Sequence, residues 1–250
     1  MQKIKLSVII PAYNEEENIK KGAVDKVFSY LEKQNYSWEI VFVDDGSKDN
    51  TVALLESISK KDSRLKVIKN PHQGKAATVT TGMLSAKGEI VLFTDMDQAT
   101  PLDQIDRFFP MFERGFDIVI GSRQGRKGAP FIRKLMAFGF VMLRTLFLRL
   151  PFSDTQIGFK AFTNKAAQDV FRNLIIFGKQ GLIKQPAVKA GFDLEFLYVA
   201  RKRGFKIKEV PVEWSYQGTK RVSAIRDGFD SLKDIIKIRW HSSLGEYNEN

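Results

Sequence analysis

The sequence of 250 residues predicts an α/β fold in which a mostly parallel β-sheet is flanked by helices. Short apolar runs rich in Val, Ile and Phe alternate with segments of helical periodicity, and the connections between them are short. These runs are apolar nearly throughout, as expected for strands that are buried on both faces of a parallel sheet. The length suits one domain with a sizeable core. We expect this domain over residues 1–222, followed by an amphipathic helix and a frayed tail over 223–250.

The N-terminal half contains four predicted strands, each followed by a turn or a helix. The strands are 5–10, 38–43, 65–68 and 89–94. Asn14 is placed to cap the first helix, and Ser47 or Asp49 is placed to cap the second. A third helix lies between the glycines at positions 74 and 88.

The C-terminal half predicts one more buried strand and a series of helices. The strand is 116–120, after a helix over 103–115; then come an apolar helix over 131–150, a polar loop over 154–160, and helices over 164–173 and 192–203. Segment 205–214 is extended, and Pro211 indicates an edge strand because proline cannot donate to a ladder. The last helix, 224–240, has an apolar stripe opposite charged residues.

Acidic residues directly follow three of the predicted strands. Glu15 follows the first strand, Asp44 and Asp45 follow the second, and Asp95 and Asp97 follow the fourth. The carboxyl ends of parallel strands share one edge of the sheet, where such sheets bind ligands. Mg²⁺ and Mn²⁺ prefer oxygen ligands and leave positions open for phosphates. A solvated turn explains one Asp-x-Asp pair alone, but this convergence favours a metal–nucleotide site.

Composition excludes several kinds of site. The net charge of +11 and the pI of about 9.7 indicate an anionic partner: nucleic acid, a phosphorylated substrate or an acidic lipid surface. The absence of cysteine excludes disulfides and thiolate catalysis, and two histidines disfavour a multi-histidine metal centre. Neither a dinucleotide fingerprint nor a P-loop is present. A secretory signal and a membrane-spanning stretch are also not expected.

The segment 131–150 combines basic and apolar residues. Arg133 and Arg144 lie eleven positions apart and therefore share one face of a helix, with apolar residues on either side. This pattern is typical of a helix in a membrane interface, with its arginines directed at lipid phosphates. A buried helix in a homo-oligomer is the alternative. Nucleic-acid binding is a remote one, because the segment has no Tyr or Trp for base stacking.

Eight blocks carry a resemblance to a known family. They are SVIIPAYNEEENI, VFVDDGSKDNT, GKAATVTTGM, FTDMDQATP, GSR, SDTQIGFKAF, FDLEFLYVARKRG and EVPVEW…GTK, in this order from about residue 4 to about residue 240. Together they resemble the family 2 glycosyltransferases, which have the GT-A (Rossmann-like) fold. The resemblance is greatest to members that use dolichyl or other polyprenyl phosphates as acceptors. Each block alone is weak evidence, whereas the ordered set is specific.

The resemblance implies a role for particular residues. Pro11, Tyr13, Asn14 and Glu15 would line the nucleotide pocket, Asp44 and Asp45 would reach the base or ribose, and Lys75 and Met96 would also lie at the substrate. Asp97 would be the main metal ligand and Asp95 would contact the metal or the nucleotide sugar. Arg123 and Lys160 would favour phosphate binding, Asp154 would lie near the sugar and acceptor, and Asp193 would be an acid near the acceptor.

The implied reaction is an inverting transfer of glucose from UDP-glucose to a polyprenyl or dolichyl phosphate at a membrane surface, with Mg²⁺ or Mn²⁺. We expect a cytoplasmic enzyme that is attached to the membrane peripherally. Mannosyl transfer from GDP-mannose and transfer to a saccharide acceptor are the alternatives. The pair Ala99–Thr100 favours glucose, whereas Met96 and Gln98 depart from the family pattern and leave the donor open.

Overall fold

The computed structural model describes residues 3–123, 131–177, 190–215 and 224–247, without the side chains of 131–137, 190 and 224–229. Seven strands lie within these ranges: β1 (Leu6–Ala12), β2 (Trp38–Asp44), β3 (Leu65–Lys69), β4 (Ile90–Thr94), β5 (Ile118–Arg123), β6 (Phe159–Thr163) and β7 (Ile207–Val212). They form one sheet in the order β3-β2-β1-β4-β6-β5-β7. All neighbouring pairs are parallel except those of β6, which is antiparallel to β4 and to β5. The mostly parallel sheet is therefore confirmed.

Helices cover both faces of the sheet. They are α1 (Glu16–Lys20), α2 (Ala23–Leu31), α3 (Thr51–Ser59), α4 (Lys75–Ser85), a 3₁₀ helix (Leu102–Arg107), α5 (Phe109–Glu113), α6 (Phe131–Leu148), α7 (Asn164–Arg172), α8 (Ala190–Lys202) and α9 (Ala224–Ser243). One core packs α4, α7, α8 and α9 against the sheet, and the other packs α1, α2, α3 and the 3₁₀ helix against the opposite face. The single helix predicted over 103–115 is instead two short helices, the 3₁₀ helix and α5.

The sequence prediction did not include strand β6. It assigned residues 154–160 to a polar loop, and this range overlaps the start of the strand. Phe159 and Ala161 pack into one core and Phe162 into the other, as the two-residue period of a strand requires. Lys160 interrupts this apolar pattern, although it is fully buried. A strand with a lysine in its middle does not look like a central strand, because lysine is almost never fully buried unless it has a partner.

The predicted N-terminal cap is also wrong. Asn14 does not cap α1; its backbone is left-handed (φ 54°), and its side chain serves a neighbouring loop described below. The predicted single helix is divided at Gly22, whose φ of 81° suits glycine and ends α1. Thr163 caps α7 by accepting from the Ala166 amide at 3.3 Å, and β7 is an edge strand of the described sheet, as predicted.

Helix α6 has the predicted position, but Arg144 is not directed at solvent or lipid. It is 2% exposed and donates to the carbonyls of Leu150 and Phe152 and, at 3.0 Å, to Thr155 Oγ1. Burial lowers the pKa of this guanidinium from its usual value, and the hydrogen bonds hold α6 against the segment that follows it. The side chain of Arg133 lies outside the described residues. None of the helices, as far as they are described, is long and apolar enough to cross a membrane.

The C-terminal region is joined to the domain by a buried carboxylate. Glu195 in α8 accepts from the backbone amides of Ile175, Ile176 and Phe177, and from the Tyr247 hydroxyl at 2.8 Å. Burial and the charge of Glu195 raise the pKa of Tyr247 above its usual range, so this hydroxyl remains a donor. The fraying expected from 246 onward therefore does not apply to Tyr247. The boundary expected between 222 and 223 lies outside the described residues.

We predict that Tyr247→Phe lowers the free energy of unfolding by about 1–3 kcal/mol, because the buried Glu195 carboxylate loses a donor. Urea unfolding followed by circular dichroism measures this. The control is Tyr30→Phe, which removes a hydrogen bond to the exposed Asp106 and should cost less than half as much. An equal loss in the two variants would show that the burial of Glu195 does not matter.

Candidate active site

Three loops at the carboxyl edge of the sheet are joined by hydrogen bonds. The Asn14 amide donates to Ser47 Oγ at 2.9 Å, and the Asn14 side chain accepts from the Lys48 amide at 2.8 Å. Next to them, the Glu15 amide donates to Thr51 Oγ1 at 2.8 Å. The loop after β1 is therefore fixed to the loop after β2, and together they form one side of a cleft. Pro11 lies at the end of β1, where it pairs with Val43 of β2.

Asp44 and Asp45 are buried and stabilise this side of the cleft. They are only 2% and 4% exposed. Asp44 accepts from the amides of Gly46 and Ser47, and Asp45 accepts from the amide of Gln73 at 2.8 Å and from that of Gly74. Their carboxylates therefore hold the loops, and their predicted contact with a base or ribose stays a prediction.

A stacked aromatic pair lies beside these carboxylates. The rings of Tyr13 and His72 are 4.3 Å apart at an angle of 13°, and His72 Nδ1 lies 2.9 Å from Asp45 Oδ2. Gly46 makes this packing possible, because its φ is 73° and a Cβ there would lie 3.1 Å from the His72 amide nitrogen. The sequence prediction missed His72. Its only signal was a histidine two residues before the Gly74–Lys75 start of α4.

Across the cleft, three ion pairs bring together residues that are distant in sequence. They are Lys75 with Asp95, Arg123 with Asp154, and Lys160 with Asp193. Burial lowers the pKa of Lys75, but Asp95 and the further acids Asp193 and Asp97 outweigh this effect, so the net shift is upward. Lys75 therefore stays charged at the mouth of the metal–nucleotide region that the sequence predicted.

Lys160 is buried against its neighbours, and its predicted role in phosphate binding stays a prediction. Its fully buried ammonium lies 2.7 Å from Asp193 Oδ1, donates to the Ile157 carbonyl, and lies over the rings of Phe93 and Phe196. Lys160 positions Asp193 in the first turn of α8. Burial raises the pKa of Asp193, and the nearby ammonium only partly opposes this shift.

Arg123 and Asp154 form a two-point pair. The guanidinium donates from Nε to Asp154 Oδ2 at 2.6 Å and from a terminal nitrogen to Oδ1 at 2.9 Å. Burial raises the pKa of Asp154, but Arg123 outweighs this effect and the net shift is downward. The guanidinium also lies 5.3 Å from the ring of Trp214, which is partly exposed. The sequence prediction did not include Trp214 in the site, although Trp214 is the last residue of the predicted edge segment.

Asp95 and Asp97 follow β4 as predicted, but Met96 between them does not face the cleft. Met96 is buried in the core on one face of the sheet, and its predicted place among the substrate-binding residues stays a prediction. Gln98 donates to the Asp95 carbonyl at 2.8 Å and has a φ of 50°, so it shapes the turn. Gly158 packs directly on the Asp95 carboxylate, where a Cβ would lie 1.9 Å from Oδ2.

The two acids suit a divalent cation. Burial raises the pKa of Asp97 and the charge of Asp95 adds to this, although the Ala99 amide and Lys75 oppose the shift. A bound cation would offset the cost of ionising Asp97. Among the described residues no cluster of three or more potential metal ligands occurs. Two carboxylates suffice for Mg²⁺, which typically takes its other ligands from water and substrate phosphates.

Comparison with known proteins gives one family. The model of glycosyl transferase family 2 matches residues 7–174. The dolichyl-phosphate beta-glucosyltransferase of Saccharomyces cerevisiae is 32% identical over 273 aligned residues, which cover 100% of this chain and 78% of that protein.

Solved structures agree in fold. Mannosyl-3-phosphoglycerate synthase from Rubrobacter xylanophilus has a TM-score of 0.70 at 18% identity, over 98% of this chain and 76% of that one. Glucosyl-3-phosphoglycerate synthase from Mycobacterium tuberculosis, in complex with Mn²⁺, UDP and glucosyl-3-phosphoglycerate, has a TM-score of 0.58 at 19% identity, over 97% and 80%. The family model, the curated relative and the shared sheet lead to one conclusion: the chain belongs to glycosyl transferase family 2 and has the GT-A fold.

Proposed function

We propose that this glycosyltransferase moves glucose from UDP-glucose, with inversion, to dolichyl phosphate or another polyprenyl phosphate at a membrane surface. The observation that carries the proposal is the similarity to a dolichyl-phosphate beta-glucosyltransferase over the whole of this chain. The site geometry supports it, because anionic donor and acceptor groups require the cations that line the cleft.

The donor nucleotide would lie between the three joined loops. The stacked rings of Tyr13 and His72 offer a flat surface for a base, and the hydrogen bonds of Asp44 and Asp45 keep the loops in place. Asn14 and Glu15 would border the ribose from the loop after β1. The diphosphate would then lie toward Asp95 and Asp97, at the end of β4.

Asp97, together with Asp95, would hold Mg²⁺ or Mn²⁺. The Mn²⁺ in the complex of glucosyl-3-phosphoglycerate synthase supports this assignment. Such an ion, when bound, offsets the negative charge that develops on the departing diphosphate. Lys75 would then exchange its contact with Asp95 for one with a phosphate oxygen, and so add a second positive charge near the leaving group.

The remaining ion pairs would serve the acceptor. Arg123 has the planar donors that suit a phosphate, and Asp154 holds its orientation at two points. A phosphate oxygen of the acceptor would attack the anomeric carbon while the bond from this carbon to the UDP oxygen breaks. Because the acceptor is already an anion, it needs little help from a base. Asp193, fixed by Lys160, would then order the acceptor phosphate through water or a direct contact.

The membrane location is supported by α6. Phe138, Met142 and Leu146 are spaced four residues apart and are exposed, so that they form one apolar stripe along the helix. Such a stripe suits a bilayer interface. Arg144 is buried and takes no part, and a lipid-phosphate contact of Arg133 stays a proposal. Pairing of α6 between two copies of the chain is the alternative.

Donor identity is tested by incubating the protein with labelled UDP-glucose or GDP-mannose, a polyprenyl phosphate and Mn²⁺. We expect labelled lipid from UDP-glucose only. Labelled lipid from GDP-mannose alone would replace the proposed donor, and transfer to an oligosaccharide but not to the lipid would replace the proposed acceptor.

Asp97→Asn is expected to lower the rate of transfer at least about 100-fold, because the charge on the leaving diphosphate loses its stabilisation. It should also raise the Tm in EDTA, because the raised pKa of Asp97 means that its ionised form destabilises the fold at neutral pH. The transfer assay with Mn²⁺ checks the rate, and thermal unfolding with and without Mn²⁺ checks the Tm. The matched control is Asp103→Asn, an exposed acid in the 3₁₀ helix. An undiminished rise of Tm with Mn²⁺ in Asp97→Asn would refute the metal assignment.

Gly158→Ala is expected to weaken the binding of metal and donor, because its Cβ overlaps the Asp95 carboxylate and must displace it. Titration of Mn²⁺ with UDP by calorimetry should show affinity at least tenfold lower, a change of about 1.4 kcal/mol. Gly139→Ala, where a Cβ meets nothing within 4 Å, is the control. Unchanged affinity in Gly158→Ala would mean that the position of Asp95 is not critical.

A further inference from the structure

A cavity of about 540 Å³ lies between the end of α6, α8 and α9, apart from the catalytic cleft. Its lining is Leu146, Phe147, Leu148, Arg149, Tyr198, Arg201 and Arg239. The three arginines come from three different elements of the fold. On α8, Arg201 lies eight residues after Asp193, which is about 12 Å along the helix axis. The cavity therefore shares no residue with the nucleotide–metal site.

The arginines are positioned as an anion site. Within the described part of the chain, Arg149, Arg201 and Arg239 have no carboxylate within ion-pair distance, in contrast to Arg64, Arg123 and Arg203. Three like charges around one space repel one another unless an anion or solvent separates them. The planar donors of a guanidinium match the oxygens of a phosphate.

The backbone of Arg149 adds a second observation. Its φ is 53°, in the left-handed region that few residues other than glycine adopt. This conformation ends α6 and costs free energy of order 1 kcal/mol. Arg149 thus occupies a strained turn at the rim of the cavity.

Exposed apolar side chains surround the cavity. Leu146 of α6, which lines it, is 74% exposed. On α9, Ile236, Trp240 and Leu244 are exposed at intervals of four residues, and Trp240 is 64% exposed. Lys237 is exposed next to this stripe. An apolar stripe flanked by basic residues is typical of a helix that lies in a membrane interface. Free phosphate would bind the arginines without any use for these apolar groups.

We propose that Arg149, Arg201 and Arg239 bind the phosphate of an anionic phospholipid, while the apolar stripes of α6 and α9 enter the bilayer around it. The occupant is a lipid because the charge of the cavity matches a lipid phosphate and its rim is apolar. The proposal deepens the membrane location given above by naming the surface that docks and the headgroup that it recognises.

The test is flotation of the full chain with phosphatidylcholine vesicles that contain or lack phosphatidylserine. We expect preferential binding to the anionic vesicles, and a loss of about 100-fold in partitioning for the triple variant Arg149→Gln, Arg201→Gln, Arg239→Gln. The matched control, Lys26→Gln, Lys33→Gln, Lys60→Gln, removes the same charge from exposed positions near α2 and α3 and should keep most of the binding. An equal loss of vesicle binding in both triple variants would show that binding depends only on net charge, and this would overturn the proposal.

Two further arms separate the other occupants. Leu146→Ser with Trp240→Ser should weaken binding to vesicles while circular dichroism shows an unchanged fold. If this variant instead dissociates a dimer and binds vesicles normally, the face is a contact between copies of the chain. If inorganic phosphate binds the wild type but not the arginine variant, and both float equally, the cavity is a site for free phosphate. Either result overturns the proposal.

The vesicles contain no nucleotide sugar and no polyprenyl phosphate, so the outcome is independent of the proposed reaction. Transfer to a short-chain, soluble polyprenyl phosphate should be unchanged in the arginine variant. A protein that floats as expected but transfers no sugar would refute the proposed function alone.

Discussion

The antiparallel insertion of β6 between β4 and β5 is the constraint on which the site depends. Because β6 runs opposite to its neighbours, the residues that precede it reach the carboxyl edge of the sheet. Asp154 and Gly158 are thereby brought to Arg123 and Asp95, which end or follow the parallel strands. The buried Lys160 secures this turn, since its ammonium is tolerated among aromatic rings only while Asp193 and a carbonyl group surround it.

Charge is distributed unevenly across the cleft. Asp154 is ionised readily because Arg123 meets it at two points, and its pKa is lowered. Asp97 and Asp193 have raised pKa values, since burial disfavours their charge. The Lys160 ammonium, 2.7 Å from Asp193, partly offsets the cost of this burial for Asp193, whereas the Ala99 amide and Lys75 partly offset it for Asp97. From this contrast we expect Asp154 to hold the fold and Asp97 to be available to a metal or substrate.

The sequence predicted the parallel strands well, because runs such as Ile90–Thr94 are apolar throughout and end at acids or glycine. It did not predict β6, because Lys160 hides the apolar pattern. It placed Asp44 and Asp45 at the correct edge, yet a strand end fixes only where a side chain begins and not which group it binds. The same limit applies to Arg144. Helical spacing predicts which face of α6 carries this arginine, but it does not predict that three acceptors in the segment after α6 bind its guanidinium in the interior. The domain boundary and the roles of the site residues stay predictions.

The loops beside the cleft are held largely through main-chain donors. The Asn14 side chain accepts a hydrogen bond from the Lys48 amide, and the Asp45 side chain accepts one from the Gln73 amide. Neither of these contacts involves the side chain of residue 48 or 73. Positions 48 and 73 can thus accept different amino acids without losing either contact. A pocket constructed in this way lends itself to divergence, since the preference for one donor over another can drift by single substitutions while the supporting framework persists.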